Sequence, residues 1–373
     1  MRILHVTDHY LPVLGGIEMH VSELADQQAR RGDDVTVLTS TPASADGGFS
    51  SDVGPVSVRR ARSVLDGLRS PFRSFDVVQA HVSVVAPFSS PVTAWCARSG
   101  VPTMVTVHSL WNGMGPVPGA AAALSGLRTA PVQWSAVSRL AAGQLSRRLP
   151  RGTPVTVLPN AVDVTARRRT PSARVGGSVR LVSTMRIARR KRPLQLLRMF
   201  EALRGAVDAP LHLTIVGDGP LRPRFERHLR RAGLEGHVTV LGRTDPAGVL
   251  QALAECDVYV APAVLESFGL AALEARCVGL PVVAQARSGM PDFVTHGVEG
   301  LLCDDDADMV LRLRDLVVDP DLRRRISEHN RLTPSTMTWQ NTLARHDAAY
   351  DAVRAATRQH GPTSATPASE VLR

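Results

Sequence analysis

The amino-acid sequence predicts an α/β protein with two doubly wound, Rossmann-like parallel sheets in tandem. Three observations carry this. Short runs of Val, Ile and Leu alternate with longer amphipathic stretches, the pattern of parallel strands joined by crossover helices. The alternation starts twice, at Arg2–Thr7 and again at Val179–Met185. Between the halves, residues 161–178 are rich in Arg, Thr, Ser and Gly and have no apolar period, so they read as a linker. A length of 373 residues fits about two domains of roughly 100–200 residues each.

Taken in order, Arg2–Thr7 is the first strand. A loop then reaches Gly15-Gly16, a helix spans about Ile17 to Arg31, and Gly32 ends it. Strands follow at Asp34–Thr39, Val56–Arg59, Val77–His81, Thr103–His108, Gln133–Val137 and Val155–Pro159. The second half opens at Val179–Met185 and continues with His212–Val216, Val238–Gly242, Val258–Ala261, Pro281–Ala284 and Gly300–Cys303. Helices fit at 193–204, 220–232, 246–255, 270–278, 307–318 and 320–329, and a last one follows Pro334 at about 340–358. The reading gives an N-terminal domain over 1–165, completed by that last helix, and a C-terminal domain over 178–335. The tail, 360–373, reads as disordered. Open parallel sheets bind ligands at the carboxyl ends of their strands, so two such sheets lead us to expect a two-part ligand in a central cleft.

Composition narrows the class. Hydrophobic residues make up 44% and charged residues 21%, ordinary for a globular chain with ample core. No apolar run approaches the roughly 18–20 residues of a membrane span, and the N-terminus runs straight into a strand, so a cytoplasmic protein is expected. Cys96, Cys256, Cys277 and Cys303 form no CxxC pair, which argues for reduced thiols over a zinc site or disulfide frame. The net charge of +10 suits anionic partners. With 4% aromatics and no nucleic-acid-binding signature, nucleic acid is excluded in favour of nucleotide phosphates or an acidic membrane surface.

Chemistry-bearing residues gather at the expected strand ends. Gly15 and Gly16 allow close backbone approach before a helix N-terminus, although a tight turn accounts for them equally well. Arg186 and Lys191, in MRIARRKRP, can clamp a diphosphate, the one as a fork and the other as a point charge; the plain alternative is a solvated basic loop. In ESFGLAALE, Glu266 falls in a loop and Glu274 within the following helix. The amides of Phe268, Gly269 and Leu270 lie at that helix start, where phosphate binds. His108 ends a strand, as does His81. Gly217 belongs to the strand-to-helix turn Gly217-Asp218-Gly219, and Asn160 either bonds an acceptor or caps a turn.

Together these pieces resemble the family 4 retaining glycosyltransferases of the GT-B fold. The resemblance runs in order through PVLGGIEMHVSEL, TMVTVHS, AVSR, LPNAVD, RIARRKRP, IVGDGPLR, APAVLESFGLAALEARCVGLPVVA, SGMPDFV and HGVEGLL. It implies that Arg186 and Lys191 neutralise a departing diphosphate and that Glu274 holds the ribose hydroxyls. It implies that Glu266 and His108 contact the transferred sugar, and that Gly15, Gly16, Gly217, Ser267, Phe268, Gly269 and Leu270 complete the donor site. Glu18, His81 and Asn160 are expected on the acceptor side. No metal and no cofactor is implied; the nucleotide-sugar is a co-substrate. Two departures stand out. Arg192 occupies a place where the family often has Gly. Ser109 stands where many members have Asp, and with Leu110 and Trp111 it is closer to the branch that acts on inositol lipids.

The expected reaction is transfer of a hexosyl group from a nucleotide-diphosphate sugar, UDP-linked rather than GDP-mannose, to a hydroxyl acceptor. The acceptor is a glycan, a lipid-linked acceptor or a small molecule, and loops 41–54 and 110–127 are expected to choose it. Residues 59–73, which mix Arg with Val64, Leu65, Leu68 and Phe72, together with Arg139, Arg147, Arg148 and Arg151, suggest peripheral contact with the inner membrane face; a plain solvated surface is the alternative. A nucleotide-sugar epimerase shares the architecture but lacks motif support, and a sugar phosphorylase would be longer. A catalytically inactive nucleotide-sugar-binding or membrane-surface protein would not need the intact Arg186, Lys191, Glu266 and Glu274 set. A NAD dehydrogenase fits poorly, since GGIEMH is not GxGxxG.

Overall fold

A computed structural model describes residues 1–13, 15–43, 54–83, 85–110, 126–163 and 177–359. Most of the linker 161–178, most of the loops 41–54 and 110–127, Trp111 and the tail therefore lie outside the described residues. The chain divides into two compact units. One holds Met1–Val137, Ala142–Leu158 and the chain from Thr342; the other holds Ser138–Ala141 and Pro159–Asn341.

The first unit carries a seven-stranded parallel sheet: β1 (Arg2–Thr7), β2 (Asp34–Thr39), β3 (Ser57–Arg60), β4 (Val77–Val82), β5 (Thr103–Val107), β6 (Gln133–Ala136) and β7 (Val155–Val157). Their order in space is β3-β2-β1-β4-β5-β6-β7. The order reverses between β1 and β4, which makes the gap at their carboxyl ends a ligand-binding switch point. Central strands covered on both faces need continuous apolar runs, and all six residues of β4 are buried. Helices α1 (Gly16–Arg30), α2 (Val64–Leu68), α3 (Ser89–Arg98) and α4 (Arg139–Ser146) follow their strands. One face packs Val92 and Cys96 of α3 against Val78, Ala80 and Val105. On the other, Ala349, Tyr350 and Val353 of the last helix join Ile3, Val35, Val77 and Met104.

The second unit repeats the plan with six strands, β8 (Val179–Thr184), β9 (Leu211–Val216), β10 (Val238–Gly242), β11 (Val258–Ala261), β12 (Val282–Gln285) and β13 (Gly300–Cys303). They lie in the order β10-β9-β8-β11-β12-β13, with the switch point between β8 and β11. The helices are α5 (Pro193–Gly205), α6 (Arg222–Arg231), α7 (Pro246–Ala254), α8 (Leu270–Val278), α9 (Asp306–Val318) and α10 (Pro320–Leu332); the last helix, α11 (Trp339–Gln359), belongs to the first unit from Thr342 on. Leu196, Phe200, Leu213, Ile215, Phe225 and Val260 are fully enclosed in its core.

Element boundaries depart from expectation by a few residues, with local causes. Helix α10 runs to Leu332 because the first break is Thr333, which precedes Pro334 and sits at φ −110°, ψ 95°; a residue before proline is driven out of the α region. Helix α2 was not expected. It starts because Ser63 caps it, accepting from the Asp66 amide at 3.2 Å.

Candidate active site

In the second unit, everything named for the donor lies near the β8/β11 switch point. Strand β8 ends at Thr184, and the chain leaves through Met185, Arg186 and Ile187. This exit loop is tied to the turn after β9. Ile187 donates its amide to the Asp218 carbonyl at 2.9 Å, and Leu221 donates to the Ile187 carbonyl at 2.9 Å. Gly217 has φ 131°, and a Cβ there would run into the Met185 carbonyl. That packing is the reason for the glycine, so Gly217 seats the Arg186 loop. Arg186 itself is exposed, and its guanidinium makes no ion pair among the described residues.

A 3-10 turn, Arg189–Lys191, carries the second cation. The Lys191 ammonium is ion-paired with the Glu266 carboxylate in the loop after β11. The next residue, Arg192, has φ 57°, making it the one non-glycine residue with positive φ among the described residues. The left-handed conformation natural to Gly is therefore kept here by an arginine. Its guanidinium holds both carboxylate oxygens of Asp306, at 2.8 and 2.7 Å, and the Pro262 carbonyl at 3.0 Å. The turn is thereby bolted to the exit of β11 and to the start of α9. Sequence reasoning noted the Gly-to-Arg departure but had no signal for this clamp.

The ESFGL segment is shaped by packing beneath it. Phe268 is buried against Phe293, ring centroids 5.3 Å apart. Gly269 caps α8 with φ 96°, and a Cβ would come within 2.8 Å of Met290 Cγ. The amides of Phe268, Gly269 and Leu270 donate to no carbonyl or side chain among the described residues. They present three donors at the positive end of a helix dipole, an arrangement made for phosphate oxygens. Ser267 and Glu274 are half-buried, Glu274 in the second turn of α8. Tyr259 of β11, unremarked in the sequence, joins them: its hydroxyl donates to the Thr184 carbonyl at 3.2 Å. Burial raises its pKa, and the charges of Glu274 and Glu266 push it further up.

In the first unit, Gly15 caps α1 in an extended conformation, φ −166°. No left-handed turn explains the glycine pair. Gly16 is exposed, and a Cβ there would meet nothing within 4 Å. The backbone faces open space at a helix start, as a close-approach site requires. The Glu18 carboxylate folds back over Gly15.

His108 follows β5 and is buried. Its Nε2 lies 3.0 Å from His81 Nδ1, and its ring centroid lies 5.8 Å from that of His20. Burial lowers its pKa to about 3, so the imidazole is neutral. His81 is a correction. It is 2% exposed, with Nε2 on His5 and Nδ1 on His108, so neither ring nitrogen is left for an acceptor. Asn160 falls in the second unit, buried, with no partner for Oδ1 among the described residues.

The surface expected to meet a membrane is less apolar than its sequence spacing suggests. Arg59, Arg62, Arg69 and Arg73 are exposed, as is Leu65, but Phe72 is in the core and Val64 and Leu68 are half-buried. A helix of five residues cannot present a broad apolar face. No helix among the described residues is long and apolar enough to cross a membrane. Among the same residues, no three His, Cys, Asp or Glu side chains gather as metal ligands.

Comparison with known proteins meets this geometry. Residues 14–166 match the model of Glycosyltransferase Family 4, and residues 166–333 match that of Glycosyl transferases group 1. The chain is a family 4 glycosyltransferase of the GT-B fold. This glycosyltransferase is 28% identical to the phosphatidyl-myo-inositol mannosyltransferase of Mycobacterium leprae over 338 residues, 81% of its own chain and 83% of the relative. It is 35% identical to the D-inositol 3-phosphate glycosyltransferase of Corynebacterium kroppenstedtii over 143 residues, which span 37% of the chain and only 32% of that relative. Among solved structures, Anabaena Alr3699/HepE in complex with UDP shares its fold with a TM-score of 0.76 at 16% identity, over 95% of this chain and all of that one.

Proposed function

We propose that this glycosyltransferase moves a hexosyl group from a UDP-sugar to a hydroxyl acceptor with retention of the anomeric configuration. The observation that carries the reading is the convergence at one switch point of three amides, from Phe268, Gly269 and Leu270, which have no acceptor among the described residues, with exposed Arg186 and with Lys191. Negative charge grows on the leaving diphosphate as the glycosidic bond stretches. Fixed donors aimed there stabilise the transition state more than the ground state.

In this reading the donor's anomeric C–O bond breaks and its electron pair leaves on the diphosphate oxygen. The acceptor hydroxyl bonds to the anomeric carbon on the same face, and its proton passes to the departing phosphate. Arg186 and Lys191 neutralise that charge in place of a metal ion. Glu274 holds the ribose hydroxyls, Glu266 and neutral His108 hold the sugar, and Gly15 and Gly16 admit the donor closely. Asn160, whose buried oxygen has no partner among the described residues, and Glu18 serve the acceptor side. The exposed arginines around α2 would hold the enzyme on an anionic membrane surface.

The UDP preference is supported by the solved relative that holds UDP; GDP-mannose is the competitor that a mannosyltransferase relative introduces. A thermal-shift panel of nucleoside diphosphates and their sugars separates them, since a ligand held by the native state raises the melting point by mass action. UDP and a UDP-hexose should shift it and GDP-mannose should not, with or without EDTA. A larger shift with GDP-mannose would reverse the donor assignment. No shift with any nucleotide would end the reading.

A further inference from the structure

The exit of β1, residues Asp8–Pro12, is held from two sides. Towards β4, the Asp8 carboxylate accepts from the Phe88 amide at 2.7 Å, from the Ser89 amide at 3.3 Å and from the Ser89 hydroxyl, all at the start of α3. Towards β2, the Asp8 carbonyl accepts from Ser40 Oγ at 2.9 Å and from Thr41 Oγ1 at 3.3 Å. Thr41 Oγ1 accepts in turn from the Tyr10 amide at 2.9 Å. Arg60, the last residue of β3, completes this side. Its Nη1 donates to the Leu11 carbonyl and to the Thr41 carbonyl, each at 3.0 Å. Asp8, Tyr10 and Thr41 are buried, and Arg60 is half-buried. Val13 then turns back, its amide 3.1 Å from the Tyr10 carbonyl, and α1 opens at Gly16.

These contacts do different work. Asp8, Ser40 and Thr41 fix the root of the exit, where β1 and β2 still lie side by side. Leu11 stands beyond the last paired residues of those strands, Thr7 and Thr39. No ladder reaches it, so a side chain must supply its donor. Arg60 comes from the edge strand, with β2 between it and β1. From there one guanidinium nitrogen joins the loop after β1 to the loop after β2. A charged donor makes the stronger bond to a carbonyl, and the planar fork loses little freedom in making two. Gly15 and Gly16 follow a few residues on, so the place of Leu11 sets where their backbone enters α1.

We propose that Arg60 is a positioning residue for the transfer reaction: by holding Leu11 to Thr41 it sets the Gly15-Gly16 backbone where it meets the donor. The meeting of glycine pair and donor rests on the function proposed above; the hold of Arg60 on the β1 exit does not. Arg60 acts on the reaction only through that backbone. Gly16 allows the two to be separated. A Cβ there would meet nothing within 4 Å, so Gly16→Ala leaves the fold alone and obstructs only a ligand that comes close.

The test combines kinetics with amide hydrogen exchange on the intact enzyme. The substrate is the nucleotide-hexose that raises the wild-type melting point most, and the readout is release of its nucleoside diphosphate with water as acceptor. Arg60→Met keeps the apolar stem and removes the donors. Its turnover should fall on the order of tenfold to a hundredfold, the effect of a displaced contact. KM for the donor should change less, and the nucleotide should still raise the melting point, because the second unit holds it. Exchange should quicken over residues 8–13. Arg60→Lys should lose less, since an ammonium still reaches one carbonyl; it carries the same comparison should Arg60→Met fail to fold. In a Gly16→Ala background the Arg60 substitution should add nothing, whereas general damage to the fold would add in full. Unchanged turnover, unchanged exchange over 8–13, or full additivity with Gly16→Ala overturns the proposal. Quickened exchange in the Arg60 variant together with full activity in Gly16→Ala upholds the hold on β1 but removes the glycine pair from the donor site, and the proposal falls with it.

Discussion

Arg192 grips Asp306 through both terminal guanidinium nitrogens, Nη1 and Nη2, while its own backbone stands in the left-handed region. The two facts belong together. A non-glycine residue in that region costs of order 1–3 kcal/mol, and the bidentate pair with the Pro262 contact offsets it. What is gained is position: Lys191, one residue earlier, is held where its ammonium reaches Glu266.

It follows that glycine should be a milder substitute for Arg192 than alanine. Arg192→Gly loses the clamp but relieves the backbone, whereas Arg192→Ala loses the clamp and keeps the strain. We expect Arg192→Ala to lower unfolding free energy by about 1–3 kcal/mol and Arg192→Gly by less, with turnover in the same order. Denaturant melts of the two variants check this. Alanine equal to or better than glycine would show that the left-handed backbone is not what the clamp sustains.

Lys191 and Glu266 should behave as a coupled pair. Both are assigned to the donor, yet they hold each other in the structure, so removing either disturbs the other. Lys191→Ala and Glu266→Ala should each cut kcat/KM by at least tenfold. The double variant should be better than the product of the two by a coupling of about 0.5–3 kcal/mol. Strict additivity of the logarithms would mean that the two work independently.

Much of this was legible in the sequence, for physical reasons. Buried parallel strands must be near-continuous apolar runs, so β1, β2, β11 and β13 could be marked to the residue. Glu266 and Glu274 were findable because a strand, a break and a helix stand in immediate succession. The buried hydrogen bonds that join Gln28, Tyr350 and Gln79 were not, since these residues come from three elements, Tyr350 lying 271 residues beyond Gln79. Their identities, two amides and a phenol, read individually as ordinary surface or core. The burial of Phe72 was hidden likewise: spacing over residues 59–73 suggests one amphipathic face, but the chain breaks at Arg69 and turns the ring inward. His81 was misread because a strand-end histidine says nothing of what its two nitrogens already hold.

Arg186 and Glu274 give a further test of the donor site, because neither lies in the apolar core. Arg186 is exposed and Glu274 half-buried on the outer turn of α8. Removing one preorganised contact to developing charge costs on the order of 10²–10³ in rate. Arg186→Ala should lower kcat at least tenfold. Glu274→Ala should do the same and also raise KM for the donor, since ribose contacts persist through the reaction. Circular dichroism and melting points should stay at wild-type values. Full activity in both variants would remove these residues from the site.

Stability should fall in mild acid, above the range where carboxylates titrate. Burial lowers the pKa of His5 and His346 to about 4 and that of His108 to about 3, while His20 and His81 lie well below 6.5. These rings are neutral when folded and become charged in the unfolded chain below its pKa of about 6.5. The unfolded state therefore binds more protons across the window from 6.5 down to about 4. Stability is complete above that window, declines as pH falls through it, and levels off below the folded pKa. Each such proton contributes a slope of about 1.4 kcal/mol per pH unit. Unfolding free energies measured in urea between pH 7.5 and 4.5 should fall with a slope above one proton, before unfolded carboxylates near pH 4 begin to titrate. A flat profile to pH 4.5 would mean that these histidines titrate in the folded protein as they do in water.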